Sequence, residues 1–208
     1  MSLCFPVTIS RGIKLIVDND DAWIIPKHNP AYSRYHDQNI SKAVVDSMML
    51  ADEVWVTQRH LRDTVKPINK NVHIVPNGIC SSDSQWANHD LPDALRFGYL
   101  GMSSHLEDLK STRLDMTGFD CTVTQFPEYK ESINASRYFD AKDVDSYGNL
   151  YREIDVSLIP LSKSEFNKNK SNLKMLEAGF SNTACIVSNV PPYSDLIRPN
   201  INCIAVRS

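Results

Sequence analysis

No stretch of this chain approaches the roughly twenty consecutive apolar residues of a membrane-spanning helix. The opening MSLCFPVTISRG also lacks the apolar centre of a signal peptide. Glycine is scarce, with 7 among 208 residues. The nearest text to a dinucleotide-binding GxGxxG is GYLGMSS (98–104), whose glycines are too few, which argues against an NAD-dependent enzyme such as a sugar-nucleotide epimerase. There is no basic excess: the formal charge is -3, which removes support for nonspecific nucleic-acid binding but says little about one local phosphate pocket. The 5 cysteines are odd in number, scattered, and without CxxC spacing. Cys121, Cys185 and Cys203 lie in apolar strand-like runs, so they are expected to be buried free thiols, and the chain is expected to be cytoplasmic. His28, His36, His60, His73 and His89 show no metal-ligand spacing with Cys or carboxylates. Internal repeats and low-complexity segments are likewise absent.

What is present suits a globular protein of one or two small domains, with 42% apolar residues to build a core. Apolar runs at 12–17, 53–57, 71–79, 96–101, 119–126, 155–161, 184–188 and 202–206 read as strands. Helical periodicity covers 41–53, with Ser41 as its N-cap, then 58–65, a segment from about Ser104, and 144–153. Residues 22–32 read as a loop, 80–94 as a linker, and 127–143 carry no clear pattern. Strands alternating with helices predict parallel βαβ units. Ligands of such sheets bind beyond the carboxyl ends of the strands, which nominates the loops 101–105, 161–171 and 188–193.

The stretch EFNKNKSNLKMLEAGFSNTACIVS (165–188) carries the most chemistry. It reads as a polar loop, a helix opening at Ser171 or Asn172, a turn and a buried strand. Lys170, Lys174 and Glu177 then share one helix edge, beside an apolar stripe of Leu173, Leu176 and Phe180. Lysines at a helix start suit a diphosphate, and a carboxylate further along suits vicinal sugar hydroxyls. An ordinary amphipathic helix with a solvated lysine edge satisfies the same spacing.

Four blocks in order resemble the GT-B glycosyltransferases, in particular the retaining, nucleotide-sugar-dependent "group 1" enzymes. They are ADEVWVTQRHLRDTV with NVHIVPNGI (51–79), LRFGYLGMSSHLEDL (95–109), YREIDVSLIPL (151–161) and FNKNKSNLKMLEAGFSNTACIVSNVPPYSDLI (166–197). A fifth, IVDNDDAWIIPKHNPAY (16–32), resembles a segment near the end of the acceptor domain in one subgroup. The resemblance implies a Rossmann-like donor domain at 92–208, preceded by a partial acceptor-side α/β unit at 1–91. It implies that Glu177 binds the donor ribose and that Ser171, Asn172 and Leu173 present amides to the diphosphate. Lys170 or Lys174 would stabilise the leaving group, and Gly101, Met102 and Ser103 would bring the first loop close to the phosphates. His105 is a further candidate contact to phosphate or sugar, and Tyr193 a candidate for lining the donor site.

Three departures qualify this. The family signature often carries a second glutamate about two turns before Glu177, and that position is Asn169, as in a subgroup with an FN-x-x-KS-x-LK-x-LE pattern. The acceptor side has only its last units before residue 80, and closing helices are expected after Arg207. No upstream strand carries the family's catalytic histidine. The expectation is therefore a hexosyltransferase-type enzyme using a nucleoside diphosphate sugar, retaining and metal-independent, with no other cofactor and an unidentified saccharide, lipid or protein acceptor. The alternative is a non-catalytic or split nucleotide-sugar-binding module, inactive alone and completed by a partner chain or a homo-oligomer. Asp18-Asn19-Asp20-Asp21 matches a DxD metal site in text only, since the nucleotide features lie far downstream.

Overall fold

The computed structural model describes residues 12–86, 93–102 and 105–207. It divides into two compact units. One takes the chain up to Asn77 and takes back Ser164–Ser171; the other holds Gly78–Lys163 and Asn172–Ser208.

The first unit is built on a parallel sheet of β1 (Ile16–Asn19), β2 (Glu53–Val56) and β3 (Val72–Ile74), in that spatial order. β1 and β2 are joined through α1 (Tyr32–Asp37) and α2 (Ile40–Leu50), and β2 and β3 through α3 (Arg59–Val65). Its core is Trp23, Met48, Ala51, Val54, Val56, Leu61 and Val65. The strand expected at 12–17 forms later, because its ladder with β2 starts at Ile16↔Glu53. α1 was not expected, and it buries no residue, so apolar period gives no sign of it. Ser41 is not the cap of α2. That helix starts at Ile40 after Asn39 in a left-handed conformation (φ 52°), while the Ser41 hydroxyl donates to the Trp23 carbonyl at 2.6 Å.

The returning segment is a single helical turn, α6 (Glu165–Lys168), where the sequence suggests a loop. Gln58 fastens it. Its Oε1 caps α3 by accepting from the His60 amide at 2.6 Å, and its Nε2 donates to the carbonyls of Lys168 at 2.7 Å and Lys170 at 3.3 Å. The Thr64 hydroxyl meets Asn169 Oδ1 at 2.9 Å, and Asn169 Nδ2 donates to the Glu165 carbonyl at 2.8 Å. Asn169, which stands where the family often has glutamate, is thus buried in a lock internal to this unit.

The second unit is a six-stranded parallel sheet of β4 (Phe97–Tyr99), β5 (Cys121–Thr124), β6 (Arg137–Phe139), β7 (Val156–Ile159), β8 (Ala184–Ser188) and β9 (Ile204–Val206). Their spatial order is β6-β5-β4-β7-β8-β9. The chain winds one way from β4 and the other way from β7, so the direction reverses between these neighbours. α4 (Leu106–Thr112) and α5 (Pro127–Ile133) cover one face, where Leu109, Tyr129 and Ile133 pack with Tyr99, Val123 and Leu158. α7 (Leu173–Phe180) covers the other, where Ala178 packs with Tyr151, Ile154, Ile159 and Val187. β5 and β7 are buried at every residue, as a sheet covered on both faces requires.

Within the unpatterned 127–143 stretch the structure has α5 and β6. Proline at the first turn fits α5, and β6 is half-buried along its length, which blurs its period. The 144–153 helix is a 3-10 turn at Tyr147–Glu153. The expected linker is part of this unit where it is described: Gln85 is buried, and its Oε1 accepts from the Gly148 amide at 2.7 Å. Cys121, Cys185 and Cys203 are buried free thiols, with those of Cys121 and Cys185 pushed up to about 12 by burial, while Cys80 is exposed. Among the described residues no helix is long and apolar enough to cross a membrane.

Beside β4 and β7 lies an ion pair between a half-buried Arg96 and a buried Asp155. The Asp155 carboxylate accepts from the Arg96 amide (2.8 Å), Nε (3.0 Å) and Nη2 (3.0 Å). Asp155 is buried, so losing its charge strands a guanidinium and an amide at once. Asp155→Ala is expected to destabilise the protein by about 3 kcal/mol, read as a lower urea midpoint with an unchanged slope.

Candidate functional site

The reversal between β4 and β7 sends the loops after these strands to opposite faces, which opens a crevice at their carboxyl ends. The loop after β4 supplies backbone. The Leu100 carbonyl accepts from the Lys174 ammonium and from the Tyr147 hydroxyl, the latter at 3.2 Å. The Met102 carbonyl accepts from the Tyr129 hydroxyl and from the His105 amide at 3.0 Å, while the Met102 side chain is exposed. Gly101 has a local reason to be glycine: a Cβ there would lie 2.3 Å from the Tyr99 ring, which fills the space beneath the loop. The Tyr99 hydroxyl is buried without a hydrogen-bond partner. Ser103 lies outside the described residues.

From the β7 side, α7 carries Lys174 and, three residues on, Glu177. Glu177 is buried, and its Oε2 accepts from the Tyr151 hydroxyl at 2.9 Å. Burial pushes its carboxyl above the usual glutamate range, with Lys174 and the Tyr151 hydroxyl pulling the other way. Burial likewise raises the Tyr147 and Tyr151 hydroxyls, so both stay protonated donors. Asn172, preceding α7, has no side-chain cap, and the amides of Asn172 and Leu173 make no backbone hydrogen bond among the described residues.

Two expectations about this helix are corrected. Lys170 does not share an edge with Lys174 and Glu177, because α7 begins only at Leu173. Lys170 and Ser171 belong to the other compact unit, where the Lys170 ammonium lies 4.8 Å from the centre of the Phe166 ring. The apolar stripe of Leu173, Leu176 and Phe180 is not the buried part of the helix: Phe180 is 43% exposed, and the buried residues are Glu177 and Ala178. Tyr193 is packed in the core, only 2% exposed.

The roles of Asp108 and Ser162 have no marker in the sequence. Asp108, on α4, is 3% exposed. Its Oδ2 faces His105 Nδ1 at 3.0 Å, and its Oδ1 accepts from the Ser162 amide at 2.9 Å and hydroxyl at 2.6 Å. These bonds hold its carboxyl below the usual aspartate range although desolvation opposes them. Only its spacing from His105 hints at the pair, and Tyr151 has no signal beyond its position before β7.

A cavity of ≈ 490 Å³ lies between α4 and β7–β9, lined by Leu114, Leu158, Ile186 and Val206 with Lys163 and Arg207. It includes none of Gly101, Lys174 or Glu177, but Ser162 lines it. The 18–21 loop holds itself through Asn19 Nδ2 and the Asp21 carbonyl at 2.9 Å. Among the described residues no group of three or more His, Cys, Asp or Glu is placed to hold a metal.

No protein-family profile matches the chain, and no curated protein matches its sequence. Solved structures do share its fold. Anabaena HepE, determined in complex with UDP-glucose, is 9% identical and superposes with a TM-score of 0.65 over 98% of this chain and 61% of its own. A glycosyltransferase from Rickettsia africae is 14% identical, with a TM-score of 0.56 over 99% of this chain and 65% of its own. The lipopolysaccharide outer core galactosyltransferase WaaB is 12% identical, with a TM-score of 0.51 over 78% and 50%. The chain thus spans between half and two thirds of their lengths. The likeness is one of fold, and that fold is the α/β GT-B type.

Glu177 yields a prediction about stability. Its folded pKa is raised, so its contribution is lost as pH rises from below the usual glutamate value through the folded one. Glu177→Gln should therefore be more stable than the parent at neutral pH, and the difference should shrink as pH falls below about 4. Paired urea titrations across pH test this; a constant difference would mean that the carboxyl does not titrate as its surroundings dictate.

Proposed function

We propose that this chain is the nucleotide-sugar-binding part of a glycosyltransferase that moves a sugar from a nucleoside diphosphate donor to an acceptor. The observation that carries this reading is the convergence of Lys174, Glu177 and the Leu100–Met102 backbone at the reversal between β4 and β7. A nucleotide needs a cation for its phosphates, an acceptor for its ribose and closely approachable backbone, and these elements supply all three. The UDP-glucose in HepE, which shares the fold, adds support.

In this reading residues 92–208 form the donor domain and 1–91 contribute to the acceptor side. Lys174 would leave the Leu100 carbonyl to neutralise the departing diphosphate, aided by the free amides of Asn172 and Leu173. Glu177, steadied by Tyr151, would accept from the ribose hydroxyls. His105 would reach the phosphates or the sugar. Catalysis would rest on positioning and on charge supplied by these groups rather than by a metal. Retention of configuration follows the sequence resemblance. Lys170, Ser171, Ser103 and Tyr193 remain part of the proposed donor site on that resemblance.

The test is a calorimetric titration with UDP, GDP, ADP and CMP, with NAD as control. One nucleoside diphosphate should bind without added metal. Glu177→Ala should weaken that binding by about 1–3 kcal/mol while the variant still unfolds cooperatively. Unchanged affinity in the folded variant would remove Glu177 from the site. Binding of NAD alone would replace the reading with a dinucleotide one.

A further inference from the structure

The Asp108 carboxylate is buried on α4. Asp108 sits at the start of α4, one turn after His105, and fixes two separate loops: His105 on the β4 side and Ser162 on the β7 side. The Ser162 amide and hydroxyl both donate to Asp108 Oδ1 and hold its carboxyl below the usual aspartate range, so Asp108 is ionised and has no proton to give. Nδ1 of His105 must therefore carry the proton in that contact, and the ring is locked in one tautomer and one orientation. The ring is also held at its backbone, since the His105 amide donates to the Met102 carbonyl at 3.0 Å. An ionised carboxylate on Nδ1 favours the doubly protonated imidazole, and a cation is what a diphosphate selects.

We propose that Asp108 is a positioning residue: it holds His105 as an Nδ1-protonated, cation-favouring ring at the reversal between β4 and β7, to bind the diphosphate of the donor. This rests on the nucleotide-sugar reading for its ligand, but the tautomer lock stands on this geometry alone. Asp108 acts through His105, without touching the ligand.

Two measurements test it. The first needs no ligand: long-range nitrogen-15 spectra of the histidine rings should show His105 protonated on Nδ1 near pH 8, and Asp108→Asn should move the proton to Nε2. A His105 protonated on Nε2 alone in the parent protein would overturn the proposal. The second is a double-mutant cycle read by calorimetry with UDP, GDP and ADP. Asp108→Asn should weaken the best diphosphate about tenfold, as for loss of a charged hydrogen bond. In a His105→Gln background the same change should cost less than about twofold, because its route is already gone. Equal losses in both backgrounds would show that Asp108 acts on the fold rather than through His105, and would overturn the proposal. Ser162→Ala controls for the loop: it keeps the Asp108–His105 contact and should retain the Nδ1 tautomer. Should the parent bind none of the three diphosphates, the nucleotide reading fails, and the diphosphate role with it. The spectra then still decide the lock.

Discussion

The pairing of β4 with β7 constrains the rest of the second unit. The ladder is short, Phe97↔Val156 and Gly98↔Ser157, and a buried aspartate holds each end of the seam. At the amino end Asp155 takes the Arg96 amide and guanidinium, and its own amide donates to the Arg96 carbonyl at 2.7 Å. At the carboxyl end Asp108 takes the Ser162 amide and hydroxyl. Between them Gly98 admits Ile154, whose Cγ2 would lie 2.3 Å from a Cβ there. An apolar seam of that length would be free to slip by a register. Two carboxylates with several fixed donors each are not, because slipping leaves a buried charge unpaired. The crevice opens at the end of this seam, so the groups around it inherit its precision.

The first unit solves a comparable problem with neutral groups. Segment 164–171 is distant in sequence from the strands it joins and contributes little apolar area beyond Phe166. Gln58 divides its amide between capping α3 and holding two carbonyls of that segment. Asn169 completes the attachment through Thr64. A glutamate at Asn169 would bring a buried charge to face the Thr64 hydroxyl and lose the donor that reaches the Glu165 carbonyl. The departure from the family pattern thus has a local physical reason, independent of any ligand.

How much of this the sequence disclosed follows from how each feature is encoded. Continuous apolar runs such as DVSLIPL announce β7 because a strand covered on both faces must be apolar throughout. β6 and α1 are marginal elements with no buried residue, and no period marks them. Glu177 stood out in the sequence because its motif is local, and the structure buries it on α7. The error at Lys170 came from extending a helix period across a chain that leaves the helix before Leu173. Asp108 and Tyr151 take their meaning from partners 54 and 26 positions away, Ser162 and Glu177, and no spacing rule reaches that far.

The placement of Glu177 differs from that of a surface carboxylate. An exposed carboxylate on the outer edge of α7 would cost nothing, and the sequence period alone permits that arrangement. Instead the carboxyl is buried, raised by desolvation, and given one strong donor, Tyr151, whose own hydroxyl burial keeps protonated. A single hydroxyl satisfies a fraction of the lone pairs of an ionised carboxylate. The unpartnered Tyr99 hydroxyl beneath the loop after β4 is a second under-satisfied group. Buried polar groups left short of partners are costly and are found where something else supplies the missing contacts. In the proposed reading, the ribose hydroxyls of a nucleoside diphosphate would supply the contacts that Glu177 lacks.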